Sequence, residues 1–89
     1  MWTIKISKQA DDFCKSLGSK HQKQVENAFN LIAQDPKQGK PLVGELRGYW
    51  SFRVGMFRII YVIRESTIIV EILRIHHRKE VYEKLRRWL

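Results

Sequence analysis

The sequence predicts a small α+β domain over residues 1–89, with an antiparallel-rich sheet in the order β-α-α-β-β-β-α and a helical hairpin on one face. Three observations carry that expectation. Eighty-nine residues, 44% of them hydrophobic, supply one core and no more. Two apolar stripes at helical spacing fill the first half, and three alternating runs separated by turn residues fill much of the second. No repeat, low-complexity tract or composition shift marks a second unit.

Each element has its own cause. Trp2, Ile4 and Ile6 alternate with Thr3 and Lys5, which predicts a short strand. Ser7 is placed to cap a helix whose Ala10, Phe13, Cys14 and Leu17 form one apolar stripe. Gly18 ends that helix, and Ser19 is expected to cap a second one, which buries Val25, Ala28, Phe29 and Ile32 and stops before Asp35-Pro36. Residues 36–48 hold both prolines and three of the five glycines without periodicity, and read as a linking loop. Three strands follow: Tyr49 to Val54, Phe57 to Ile63, and Thr67 to Ile75. Gly55-Met56 is a two-residue hairpin turn between the first pair, and residues near Glu65-Ser66 turn the second. From about Lys79 to Leu89, Val81, Leu85 and Trp88 recur at helical spacing among Lys84, Arg86 and Arg87. The first strand must join the sheet to hide its edge, and the helical hairpin must cover one face. The other face is left partly open beside the last helix.

Charge narrows the function. Seventeen Lys and Arg against nine Asp and Glu leave a net charge of +8, which points to a polyanionic partner. All seven basic residues of 1–43 are Lys, whereas eight of the ten that follow are Arg. Arginine's planar fork suits phosphate, so a phosphate site belongs in the second half. The single cysteine, Cys14, rules out an internal disulfide and a cysteine-based zinc site, and suits a reducing cytoplasm. No apolar run approaches the roughly 20 residues of a membrane span, and the first eight residues are too polar for a signal peptide.

The Gly55-Met56 turn fixes a register in which Val54 faces Phe57 and Arg53 faces Arg58. Trp50, Phe52, Val54, Phe57, Ile59 and Tyr61 then share the core face, and the two arginines oppose each other on the other. Like charges across a strand pair oppose folding, so the pair either splays into solvent or forms a preformed anion site, the reading that the regular alternation supports. A second cluster, Arg74-Ile75-His76-His77-Arg78-Lys79-Glu80-Val81-Tyr82, spans the end of the last strand and the start of the last helix. Histidine is suited to proton transfer near neutral pH, and tyrosine can assist it. Adjacent His76 and His77 point to opposite faces of a strand, so no metal or cofactor is expected there. Lys79, Arg86 and Arg87 read as solvated helix positions or phosphate-backbone contacts. No glycine-rich phosphate loop, serine nucleophile elbow or paired carboxylate motif is present.

The segments Leu46-Arg47-Gly48-Tyr49-Trp50, Phe52-Arg53-Val54-Gly55, Phe57-Arg58-Ile59-Ile60-Tyr61 and His77-Arg78-Lys79-Glu80-Val81-Tyr82 together resemble the RelE branch of the RelE/ParE toxin superfamily over essentially the whole chain. The resemblance implies a microbial-RNase-like fold and the toxin of a type II toxin–antitoxin pair. Its implied activity is a metal-independent, ribosome-dependent endoribonuclease that cuts mRNA in the A site. The 2′-hydroxyl attacks the adjacent phosphate and leaves a 2′,3′-cyclic phosphate and a 5′-hydroxyl.

Carried over by position, Arg58 grips the scissile phosphate and Arg53 supports it, while Tyr82 stacks on a base and helps activate the 2′-hydroxyl. Arg47, Arg74, Arg78 and Lys79 supply RNA contacts. His76 stands where the family has an arginine, and is assigned general acid or general base; a bulge near the strand end would exchange it with His77. Ser51 replaces a family lysine, so one basic contributor is missing. The implied partners are an acidic antitoxin that wraps the toxin and mRNA on the ribosome, with no membrane. Two alternatives share the fold: a ParE-like, non-catalytic poison of DNA gyrase, and an inactive nucleic-acid-binding homologue.

Overall fold

Alternating apolar side chains pair four of the strands into a mixed sheet that a fifth, very short strand completes. The computed structural model describes residues 1–88, apart from the side chains of Val81, Tyr82 and Trp88. In chain order the elements are β1 (Thr3–Ile6), α1 (Lys8–Ser16), α2 (Ser19–Gln34), β2 (Lys40–Pro41), β3 (Trp50–Val54), β4 (Phe57–Arg64), β5 (Ile69–His77) and α3 (Val81–Trp88). The sheet runs β1-β5-β4-β3-β2, with β1 parallel to β5 and the other pairs antiparallel.

The helical hairpin packs on one face of this sheet. Val25, Ala28, Phe29 and Ile32 of α2 and Ala10 and Cys14 of α1 bury against Phe57, Ile59, Tyr61, Val70, Ile72 and Ile75. Trp50, Phe52 and Val54 lie against the same cluster, which is the core face that the alternation predicts. Burial raises the Cys14 thiol pKa and makes it a small core hydrophobe. On the opposite face a smaller cluster of Leu42, Ile60 and Leu85 docks α3, flanked by Leu46 and Tyr49. Full burial of a leucine such as Leu85 contributes about 1.5–3 kcal/mol to that docking.

Ser7 caps α1, its side chain accepting from the Ala10 backbone N–H at 3.1 Å. It also ties helix to sheet, because its Oγ donates to the Leu73 carbonyl at 2.6 Å. Beyond Ile72 the edge of β5 outruns β1, and Gln9 takes over as its partner. The Gln9 amide donates to the Ile75 carbonyl at 2.9 Å and accepts from the Ile75 N–H at 3.0 Å. One side chain thus stands in for a strand residue.

Several boundaries differ from the sequence reading. Gly18, not Ser19, occupies the cap position of α2, with Ser19 as the first helical residue. The linking segment 36–48 contains β2 and two 3-10 turns, Pro36–Gln38 and Gly44–Leu46. Two residues, one of them a proline, are too short a run to register as an alternating pattern. Strand β5 continues to His77, and α3 begins at Val81 rather than Lys79. The expected end of that helix at Leu89 lies outside the described residues, as does the side chain of Trp88 from its apolar stripe. No helix among the described residues is long and apolar enough to cross a membrane.

Candidate anion-binding site

The β3–β4 turn creates the site. Gly55 takes a left-handed φ of +57°, which a side-chain-bearing residue would resist, and closes a two-residue loop with Met56. Val54 consequently pairs with Phe57 and Arg53 with Arg58, the register read from the sequence. On the next strand pair Arg58 meets His76 and Ile60 meets Arg74. The α3-side face thus carries two adjacent rows across β3, β4 and β5: Arg53, Arg58 and His76 in one, Ser51, Ile60 and Arg74 in the other.

A bulge decides the β5 half of this grid. Between Ile60 and Tyr61 the pairing shifts, so that Tyr61 faces Ile72 and Leu73 is the extra residue. Ile72 and Ile75, three apart, both reach the core face as a result. Arg74 and His76 fall on the face of Arg58, while His77 falls on that of Phe57. The question of which imidazole joins the arginines is answered by geometry: it is His76. The His77 ring packs against Phe57 and Phe13 with centroids 5.2 and 6.1 Å apart, on the helical-hairpin side. His21 of α2 is half-buried with its ring edge-on to Phe57 at 5.6 Å.

Two short polar side chains hold two of the arginines. Arg58 Nη1 donates to Ser51 Oγ at 3.1 Å, and Ser51 is only 2% exposed. Arg74 Nε donates to His76 Nε2 at 3.2 Å, and His76 is 5% exposed. Burial pushes the His76 pKa down from 6.5 to about 4, helped by the positive charges of Arg74 and Lys84 and opposed by Glu80. The imidazole is therefore neutral near pH 7, and its N–H sits on Nδ1 because Nε2 accepts. Arg53 is solvent-exposed at the rim and Arg58 half-buried beside it. The next row on this face pairs Val62 with Glu71, and Glu71 already meets Arg64 at 3.4 Å.

The remaining sequence candidates surround the grid. Arg78 is exposed, and its backbone N–H donates to the Met56 carbonyl at 2.8 Å, which ties the β5–α3 turn to the hairpin tip. Between them lies an open cleft of about 480 Å³ lined by Met56, His77, Arg78, Lys79 and Glu80. Arg47 is exposed in the loop preceding β3. Tyr82 belongs to the first turn of α3, but its side chain lies outside the described residues. Among the described residues no three His, Cys, Asp or Glu side chains gather to hold a metal ion.

At the position read as a missing lysine, Ser51 serves as a hydroxyl partner of Arg58, a contact that sequence reasoning missed. The signal was available, since alternation puts Ser51 on the Arg53 face, diagonal to Arg58 in the hairpin register. Chemically, guanidinium groups clustered in two rows that hold no carboxylate can bind a phosphate and stabilise extra charge developing on it.

Comparison with known proteins agrees with this architecture. Residues 2–82 match the family described as the ParE toxin of type II toxin–antitoxin systems, parDE. The toxin RelG of Mycobacterium tuberculosis is 41% identical over 61 residues, covering 67% of this chain and 70% of RelG. The toxin–antitoxin complex RelBE2 from Mycobacterium tuberculosis contains a chain that superposes with a TM-score of 0.78 at 34% identity, covering 86% of this chain and 98% of that one. The isolated Escherichia coli RelE toxin superposes over 100% of both chains with a TM-score of 0.73 at 18% identity, a likeness of fold alone. By sequence and by fold, then, the chain belongs to the RelE/ParE superfamily of type II toxin–antitoxin toxins.

Proposed function

We propose that this toxin is a metal-independent endoribonuclease that cuts mRNA in the ribosomal A site. The observation that carries the reading is the Arg53–Arg58 pair on one face of a tight hairpin, with Arg58 held by the buried Ser51 and no carboxylate in either row of the grid. In the reaction the substrate's 2′-oxygen forms a bond to the adjacent phosphorus, and the bond from phosphorus to the 5′-oxygen breaks. A 2′,3′-cyclic phosphate and a 5′-hydroxyl result. Charge builds on the non-bridging oxygens in the transition state, where Arg58 grips them and Arg53 supports it from the rim. One proton leaves the 2′-hydroxyl and one reaches the departing 5′-oxygen, steps for which Tyr82, His76 and His77 are the candidates. Arg47, Arg78 and Lys79 hold the flanking backbone. The ribosome supplies the in-line geometry that an open, shallow site does not impose by itself.

Charge also supports a partner. A chain of net charge +8 suits an acidic antitoxin that wraps it, and RelBE2 is itself a toxin–antitoxin complex. The family match to ParE favours one second reading, a non-catalytic poison of DNA gyrase. Cleavage of mRNA on programmed ribosomes separates the two, with product ends identified. Wild type is expected to leave 2′,3′-cyclic phosphates at codon-registered cuts, and Arg58→Ala to slow cutting about 10²- to 10³-fold, the loss typical of one oxyanion-stabilising donor. An Arg58→Ala protein that cuts at the wild-type rate, or DNA damage without transcript cuts, would remove the nuclease reading.

A further inference from the structure

The two buried polar residues among those described, Ser51 and His76, do the same thing: each accepts a hydrogen bond from an arginine on its own face of the sheet. We infer that His76 is a positioning residue that holds the Arg74 guanidinium beside Arg58 as a second anion-gripping group, and that it carries no proton in the reaction. The inference rests on the nuclease reading and narrows it: of the three candidates for proton transfer named there it removes His76 and leaves Tyr82 and His77.

The geometry gives His76 little room for acid–base work. A guanidinium is permanently charged and only donates, so the 3.2 Å contact from Arg74 Nε requires the lone pair of His76 Nε2. Protonating Nε2 would break that bond and set two donors, both positive, against each other. The groups around the ring make this worse. Arg74 and His77 flank it on β5, Arg58 stands across on β4, and Lys84 approaches from α3. Glu80 is the one opposing charge that acts on it, and it is already paired with Lys84 at 3.3 Å. From α1 the neighbour is apolar, the Phe13 ring with its centroid 6.5 Å away. What remains to give is the Nδ1 proton of a neutral imidazole, a poor acid for a departing alkoxide.

As an acceptor, by contrast, the ring is well placed. It is buried and sits in the row that adjoins Arg74. Fixing one N–H of a planar fork fixes the plane of the whole group, so Arg74 is oriented before the phosphate arrives. Ser51 does the same for Arg58 from the other side of the grid. The anion site then has two guanidiniums aimed by buried neutral acceptors and a third, Arg53, at its rim.

The test compares cleavage on programmed ribosomes by wild type, His76→Ala, His76→Gln, Arg74→Ala and the Arg74→Ala/His76→Ala double variant. The glutamine carbonyl can take the place of Nε2 as acceptor but cannot shuttle a proton. His76→Ala is expected to lose about 10- to 100-fold in kcat, less than the full loss of an oxyanion donor, with His76→Gln recovering to within about threefold of wild type. The double variant should be no slower than Arg74→Ala, because the two residues act as a unit. The pH profiles of wild type and His76→Gln should coincide from about pH 5.5 to 8. A glutamine variant as slow as the alanine one, a limb missing from its profile, or additive losses in the double variant would overturn the inference. Nitrogen-15 NMR of the imidazole gives a readout that needs no cleavage. A neutral Nδ1–H tautomer across that range is expected, with a titration midpoint that rises in Arg74→Ala. An Nε2–H tautomer, or a midpoint unmoved by that substitution, would overturn it even if the wild type cut no RNA, an outcome that would separately end the nuclease reading.

Discussion

Acid should weaken this fold through one side chain, His76. In the unfolded chain its imidazole titrates near 6.5, whereas burial and the nearby Arg74 hold it near 4 in the native state. As pH falls below 6.5 the unfolded state takes up a proton that the native state refuses. Stability from this group is therefore complete above about pH 6.5 and is lost progressively down to about pH 4. The slope near pH 5 is close to one proton, and the loss between pH 7 and pH 5 is about 2 kcal/mol, a large share of the 5–15 kcal/mol typical of a domain. Urea melts followed by tryptophan fluorescence at pH 7, 6 and 5 measure it directly. His76→Gln keeps the acceptor and removes the titration, so its midpoint should fall much less over the same range. Parallel loss of stability in the two proteins would refute the reasoning, because the proton uptake would then lie elsewhere.

Two further expectations concern the supports of the site and the core. Ser51→Ala removes the hydroxyl that steadies Arg58, at a cost of about 1.5–3 kcal/mol for a bond to a charged group; if that cost falls on substrate binding and turnover, cleavage drops at least tenfold, while urea melts, which report on the fold, shift far less. A wild-type rate in that variant would show that Arg58 does not depend on this hydroxyl. Gly39→Ala places a methyl group where the Tyr61 hydroxyl sits, donating to the Pro36 carbonyl at 2.7 Å. Overpacking beside so deeply buried a ring is expected to cost about 1–3 kcal/mol in urea melts, and Tyr61→Phe about 1 kcal/mol.

The arginine pair was legible because a Gly-X turn and unbroken alternation leave the β3–β4 hairpin one register. The far side of the site was not. Ile72, Leu73 and Ile75 are compatible with either phase of a strand, and only packing against the helical hairpin chooses the bulge at Leu73 that turns Arg74 and His76 toward Arg58. Strand β2 escaped notice because two residues have no period. The type of His76 suggests proton transfer but says nothing of its charge state. Its neutrality follows from burial and neighbouring charge, properties of three strands and a helix that no local motif records. The Ser51 contact was hidden for the complementary reason: a neutral hydroxyl gains its meaning only from the diagonal neighbour it steadies.

Gln9 has a consequence for how the molecule lives at high concentration. An open strand border is a template on which further copies of a chain can zip together. By satisfying both main-chain groups of Ile75 with a single carboxamide, α1 seals the border of β5 where β1 no longer covers it. Lateral addition of another strand at that point is opposed by a helix, which favours the monomer over edge-to-edge stacking.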